Sequence, residues 1–281
     1  MLAGRIVSLV LVLAGLSAGQ DSWKATEEAA ARAGKVANFS EAEKLLSSNL
    51  KSAEGFPAKD PRRPRTVFDL AEVYRAEGKY SEALPLYERA LQIYTRIYGA
   101  EATEIADTLN GEAELYKSLN DYGHAEPLLL RALGIREKLL KPGNPDIAQA
   151  KNDLGEIYTA TGAFDKAEPL LTESLGSRKT NPGPESAAVA QSLEALGTLY
   201  SKSRRPQQAE ESFRQAVSIF GKTVGGNHPD YANALENLAL CYGARRDFAD
   251  AEPLLQRVLE IRQTVFGPEH RDVAASLDNL A

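Results

Sequence analysis

The residues able to do chemistry are few, and their spacing decides what they can do. Gly15-Leu-Ser17-Ala-Gly19 has the spelling of a nucleophile elbow, where a strained strand-to-helix turn exposes a serine for acyl transfer. Here no strand pattern precedes it and no helix pattern follows. Gly221-Lys222-Thr223 has the ending of a phosphate-binding loop, but the glycine that must open such a loop is Ala216, and the stretch closes a helical pattern. His228 and His270 stand 42 residues apart, so they occupy one capping position in successive repeats. A metal or catalytic pair needs ligands that converge on one point. His124 stands alone at a turn between helices. Cys241, between Leu240 and Tyr242, sits on an apolar helical pattern where a free thiol packs as a small hydrophobe. As the sole cysteine it excludes an intrachain disulfide and a cysteine-rich zinc site. Asn38-Phe-Ser40 is a glycosylation sequon, meaningful only in a eukaryotic secretory path. The expectation is no catalytic residue, no metal and no cofactor.

Composition points the same way. Over 281 residues, 33 basic and 39 acidic side chains leave a formal charge of −6, with no charged tail. A nucleic-acid binder normally carries a basic stripe, so none is expected here. Arg5 followed by the apolar run Ile6–Leu16, then Ser17 and Gly19 at −3 and −1 of a cleavage point, is the secretory leader pattern. The run is shorter than the ~20 residues that span a bilayer, so no stable membrane insertion is expected after cleavage; an uncleaved N-terminal anchor is the alternative. The expected address is periplasmic or secreted.

Beyond the leader the chain repeats. Tyr74, Tyr116, Tyr158, Tyr200 and Tyr242 are spaced by 42, as are Ala83, Ala125, Ala167, Ala209 and Ala251. Tyr80, Tyr122, Phe164 and Phe248 hold the same period with Pro206 in the remaining slot, and Ala71, Ala113, Gly155, Gly197 and Ala239 supply a small residue in phase. Each period reads as two helices. In the third, Asn144 caps a helix that has Pro145 in its first turn, and Ile147, Leu154, Ile157 and Tyr158 follow helical spacing. Gly162 ends it, and Asp165 is placed to cap a second helix bearing Ala167, Leu170, Leu171 and Leu175. Pro85, Pro127, Pro169 and Pro253 are expected in the first turn of second helices, and Gly99, Gly225 and Gly267 just past helix ends in the left-handed conformation. The small residue lets the two helices approach, while the turn aromatic and the alanine three residues on fill the gap. One hairpin cannot bury its own apolar faces, so hairpins must stack.

The Leu154-Gly155-x-x-Tyr158 and Leu196-Gly197-x-x-Tyr200 cores, the Phe164/Ala167 pair and the Asn144-Pro-Asp and His228-Pro-Asp helix starts resemble the tetratricopeptide repeat in its 42-residue form, as in kinesin light chain. The resemblance implies an all-α, right-handed superhelical solenoid of antiparallel helix pairs. The expected divisions are a signal peptide at 1–19, a degenerate repeat at 20–63, five repeats at 64–273 and the truncated start of a sixth at 274–281. That last stub predicts either a continuing chain or an array end that packs on a partner, including a second copy. The family also implies a concave face lined by first helices. In register on it stand Glu72, Arg75, Asn110, Glu114, Lys117, Asn152, Asp153, Glu156, Glu194 and Asn237. Glu72–Arg75 and Glu114–Lys117 are also i,i+3 pairs that support a helix. The implied function is a non-enzymatic scaffold holding a peptide or protein. The alternative is the regulatory, substrate-recruiting part of a larger enzyme or signalling protein. Glu72, Glu114 and Glu156 would repel a terminal carboxylate, so a chaperone-type C-terminal tail is not the expected partner.

Overall fold

The structure, a computed structural model, describes residues 22–34 and 38–280. The expected leader at 1–19 lies outside the described residues. Among these, all regular structure is helical. A first pair joins α1 (22–34) to α2 (Phe39–Ala53). Then follow α3 (Arg62–Ala76) with α4 (Tyr80–Tyr98), α5 (Thr103–Ser118) with α6 (Tyr122–Leu139), and α7 (Pro145–Ala160) with α8 (Phe164–Thr180). Next come α9 (Ala187–Lys202) with α10 (Pro206–Thr223), and α11 (Pro229–Ala244) with α12 (Phe248–Phe266); α13 (Arg271–Leu280) is the last. The described residues fall into two compact units, divided between Ile135 and Arg136. No described helix is long and apolar enough to cross a membrane.

The period read from sequence is the period of the helices. Second helices start at Tyr80, Tyr122, Phe164, Pro206 and Phe248, each 42 residues after the last. The turn before each is a Schellman closure. The amide of Lys79 donates to the Tyr74 carbonyl at 2.8 Å, and Ala163 to Tyr158 and Arg205 to Tyr200 do the same at 2.8 Å. This closure puts one residue per repeat at positive φ: Gly78 (76°), Asn120 (58°), Gly162 (79°), Arg204 (60°) and Arg246 (64°).

Caps follow the sequence at α7, where the Asn144 side chain accepts from the Asp146 amide at 2.8 Å. His228 and His270 are caps as expected, each Nδ1 accepting the amide two residues on at 3.2 Å. Asn38 of the sequon accepts from the Glu41 amide at 3.4 Å and caps α2. Three expectations need correcting. Ala163, not Asp165, holds the N-cap of α8; Asp165 sits in the first turn and acts on the helix dipole. The prolines stand at the sixth helical position, one turn deeper than expected. At Pro85 the missing N–H frees the carbonyl of Ser81, and both residues are exposed, so the carbonyl is open to solvent rather than buried unpaired. Gly99 has φ 85° and ψ −171°, an extended positive-φ conformation outside the left-handed helical well.

The small-residue rule holds at the contacts. Gly155 faces Leu171 and Gly197 faces Phe213; a Cβ would fall 2.6 Å from the leucine and 2.5 Å from the ring. Ala83, Ala125, Ala167, Ala209 and Ala251 are all buried. The turn aromatic does not fill a gap everywhere, since Phe248 is 64% exposed. In the first pair, Ala30 and Leu46 pack on Leu70 of α3. Trp23 Nε1 donates to the Thr66 hydroxyl at 3.0 Å, tying α1 to α3.

Candidate protein-binding face

First helices lie beside one another within each unit: α3 with α5 in the first, and α9 with both α7 and α11 in the second. On α3, Glu72 binds Arg75 at 2.7 Å and accepts from the buried Tyr87 hydroxyl of α4, which also accepts from Arg75 Nε at 3.2 Å. Burial, followed by the Glu72 charge, pushes the Tyr87 phenol well above its ordinary range. Gly111 of α5 meets this triad, and a Cβ there would fall 2.5 Å from Glu72 Oε1. On α5, Glu114 and Lys117 pair at 2.8 Å with about a quarter of each side chain exposed. Asn110 is half-buried one turn earlier.

In the second unit the candidate residues are less exposed than their register implies. Asn152 and Asp153, expected on an open face, are 2% and 3% exposed. They belong to a polar network around Arg178 of α8, itself buried. Arg178 Nη1 donates to the Ala188 carbonyl and to the Ser192 hydroxyl, each at 2.9 Å, and Nη2 donates to Gln149 Oε1. Gln149 in turn donates to Asp153 at 2.6 Å. Ser192 donates to Asn152 Oδ1 at 3.1 Å, and Asn152 donates to Glu156 at 2.7 Å. Burial pulls the Arg178 pKa down, while Asp153 and Glu156 oppose that shift. The reason for the correction is therefore local: Asn152 and Asp153 solvate a buried guanidinium. Glu194 of α9 accepts from Asn237 of α11 at 3.0 Å, and burial pushes its carboxyl up to about 7 against that bond. Asn279 repeats the link one period later, donating to Glu236 at 2.9 Å.

Sequence reasoning missed Arg178, Gln149 and Ser192, and also Asp69, whose carboxyl burial raises to about 6. The signal for Arg178 and Ser192 was present in the recurrence of Arg262 and Ser276 at the same repeat positions. Arg262 is buried two repeats later, bound to Ser276 at 2.9 Å and to Glu236 at 2.7 Å. The remaining chemical candidates are occupied structurally. His124 pairs with Asp121 at 2.6 Å on the surface, and burial pushes the Cys241 thiol up, away from reactivity.

A stack of α-helical hairpins closing on polar first-helix faces defines a helical-repeat protein. The chain belongs to the tetratricopeptide repeat family, whose repeat matches residues 64–138, 146–222, 213–264 and 230–281, with a further match over 28–96. Its structure is similar to BtubC (BKLC) from P. vanneervenii, at 24% identity and TM-score 0.65 over 83% of this chain and 91% of that one. It is also similar to the nearly identical TPR-like repeats of a kinesin light chain-type protein from Podosopora anserina (25%, 0.59, 74% and 98%). Rap protein, solved in complex with competence and sporulation factor, shares the fold at 17% identity and TM-score 0.66, over 92% of this chain and 73% of its own. No curated protein matches the chain.

Proposed function

We propose that this chain is a non-enzymatic, exported scaffold that holds a peptide or protein segment on its first-helix faces. The observation that carries this reading is the recurrence of one glutamate at the same repeat position, Glu72 and Glu114 in the first unit and Glu156 in the second, each half-buried with its carboxylate already oriented by a neighbour in its own unit. A carboxylate fixed in this way loses little side-chain entropy when a ligand arrives. Asn237, held by Glu194, adds amide hydrogen-bonding capacity on the second unit. Family membership supports protein binding, and the complex of Rap protein with its factor is a case of the fold holding a partner. The leader pattern at 1–19 supports export. In this reading Asn152 acts through Glu156, and Asp153 through Gln149, rather than by contact.

The test is selection of displayed peptides on the purified chain, with affinities then measured for Glu114→Gln and Glu156→Gln. Selected peptides should lose about threefold or more with one of the two variants. Peptides that bind both variants as tightly as the parent would overturn the reading. Each peptide is also measured with a free and an amidated C-terminus; a strong preference for the free acid would contradict the exclusion of carboxylate tails.

A further inference from the structure

A cavity of about 430 Å³ opens in the first unit between α1, α2 and α3. Its floor is aliphatic, with Ala30, Leu46 and Val73 among its lining residues. Its polar lining is almost wholly acidic: Glu27 and Glu28 from α1, and Asp69 and Glu72 from α3. Arg65 is the one cation in the lining. It reaches Asp69 at 3.0 Å and Glu27 at 3.5 Å, yet more than half of its own side chain is exposed. Glu72 has its charge met by Arg75. Four carboxylates against Arg65 and Arg75 leave a net negative charge around an apolar floor.

From this juxtaposition we propose that the cavity is a receptor for a cationic side chain with an aliphatic stem, a lysine or arginine of the bound segment. The stem would lie on Ala30, Leu46 and Val73 while the charged head meets Asp69 and Glu27. Amphipathic side chains partition in this way wherever an apolar wall ends in opposite charge. Arg65 marks where a guanidinium is stable here, and its exposure lets it swing aside. The volume fits one long side chain and is small for a folded element. Burial of Asp69 lowers the local dielectric and strengthens the attraction. This inference rests on the scaffold reading and adds the chemistry of one anchor residue.

The experiment is an amide NMR titration of the full chain with N-acetyl-lysine amide, N-acetyl-arginine amide and the uncharged N-acetyl-norleucine amide. The cationic probes should shift Gly34 and Val73, and norleucine at the same concentration should not. Asp69→Asn should weaken the cationic probes about fivefold, and Ala31→Phe, a change at an exposed lining residue, should block them while leaving the rest of the spectrum in place. Equal shifts from norleucine, no shifts at all, or full binding by Ala31→Phe would overturn the proposal. Selected peptides that respond to Glu114→Gln or Glu156→Gln but not to Asp69→Asn would leave the scaffold reading standing and remove the pocket. Probe shifts at Gly34 and Val73 with no selectable peptide would do the reverse.

Discussion

Arg178 on α8 donates to the Ser192 hydroxyl on α9 at 2.9 Å, and two repeats later Arg262 on α12 makes the same 2.9 Å bond to Ser276 on α13. At the interface between them the pair is Phe220 and Ala234, both fully buried and in one apolar cluster. Arginine goes with serine, phenylalanine with alanine. These three interfaces are thus joined by two couplings, one polar and one apolar, while the same register holds Arg136 with Ala150 and Tyr94 with Thr108 in earlier repeats. Arg178→Met should cost about 3 kcal/mol, because the Ala188 carbonyl loses a buried donor and Asp153 loses a nearby positive charge. The triple variant Arg178→Phe, Ser192→Ala, Asp153→Ala copies Phe220, Ala234 and Ala195 and should recover most of that loss. Urea titrations of the two variants check this; a triple variant no more stable than Arg178→Met would refute the equivalence.

The repeat itself was legible because identical contacts recur in identical phase. Tyr80, Tyr122, Phe164, Pro206 and Phe248 open second helices as their spacing required. What the period could not convey is which side chains turn inward across neighbouring repeats. Asn152 looks like any polar first-helix residue until Arg178 and Ser192 are placed beside it. Likewise, Asp69 gains part of its environment from α1, in the least regular helix pair, whose second helix α2 places Phe39 and Ala42 one residue short of the period. Phe248 keeps its place in the pattern yet stays exposed, so identity at a repeat position does not guarantee the contact.

The turn between paired helices carries a removable strain. Arg204 and Arg246 take φ of 60° and 64° where Gly78 and Gly162 take the same role without a Cβ penalty. Left-handed backbone costs an L-residue about 1 kcal/mol, part of which glycine returns as entropy of the unfolded chain. Arg246→Gly should stabilise by about 0.5 kcal/mol. At Arg204→Gly no loss of a contact through its neighbour is expected, because it is Arg205 that binds Glu168, at 2.9 Å. Thermal melts of each single variant measure it; a lowered midpoint at both sites would refute the strain.

Helix approach sets the opposite sign at Gly197. An added methyl improves helix propensity by about 1 kcal/mol. It also lands 2.5 Å from the Phe213 ring, which is buried and has nowhere to retreat. Overpacking of this kind costs about 1–3 kcal/mol, so Gly197→Ala should destabilise on balance. Pairing it with Phe213→Leu reproduces the Ala113 and Leu129 combination of another repeat and should relieve the clash. If Gly197→Ala alone raises the unfolding midpoint, the close approach is not limiting.

Glu194 makes stability depend on pH in a predictable direction. Burial raises its carboxyl to about 7 from an ordinary 4.5, with Asp230 and Glu156 adding repulsion and the Asn237 amide opposing. The folded state therefore holds this proton more tightly than the unfolded chain does. Its contribution is fully present below the unfolded value near 4.5 and is lost as pH rises through about 7. Glu194→Gln keeps an acceptor for Asn237 and removes the charge. It should stabilise the chain by about 1 kcal/mol at pH 8 and have little effect at pH 4. Denaturation midpoints of parent and variant, measured at both pH values, decide it: a gain confined to high pH supports the assignment, and an equal shift at both would assign the effect to packing.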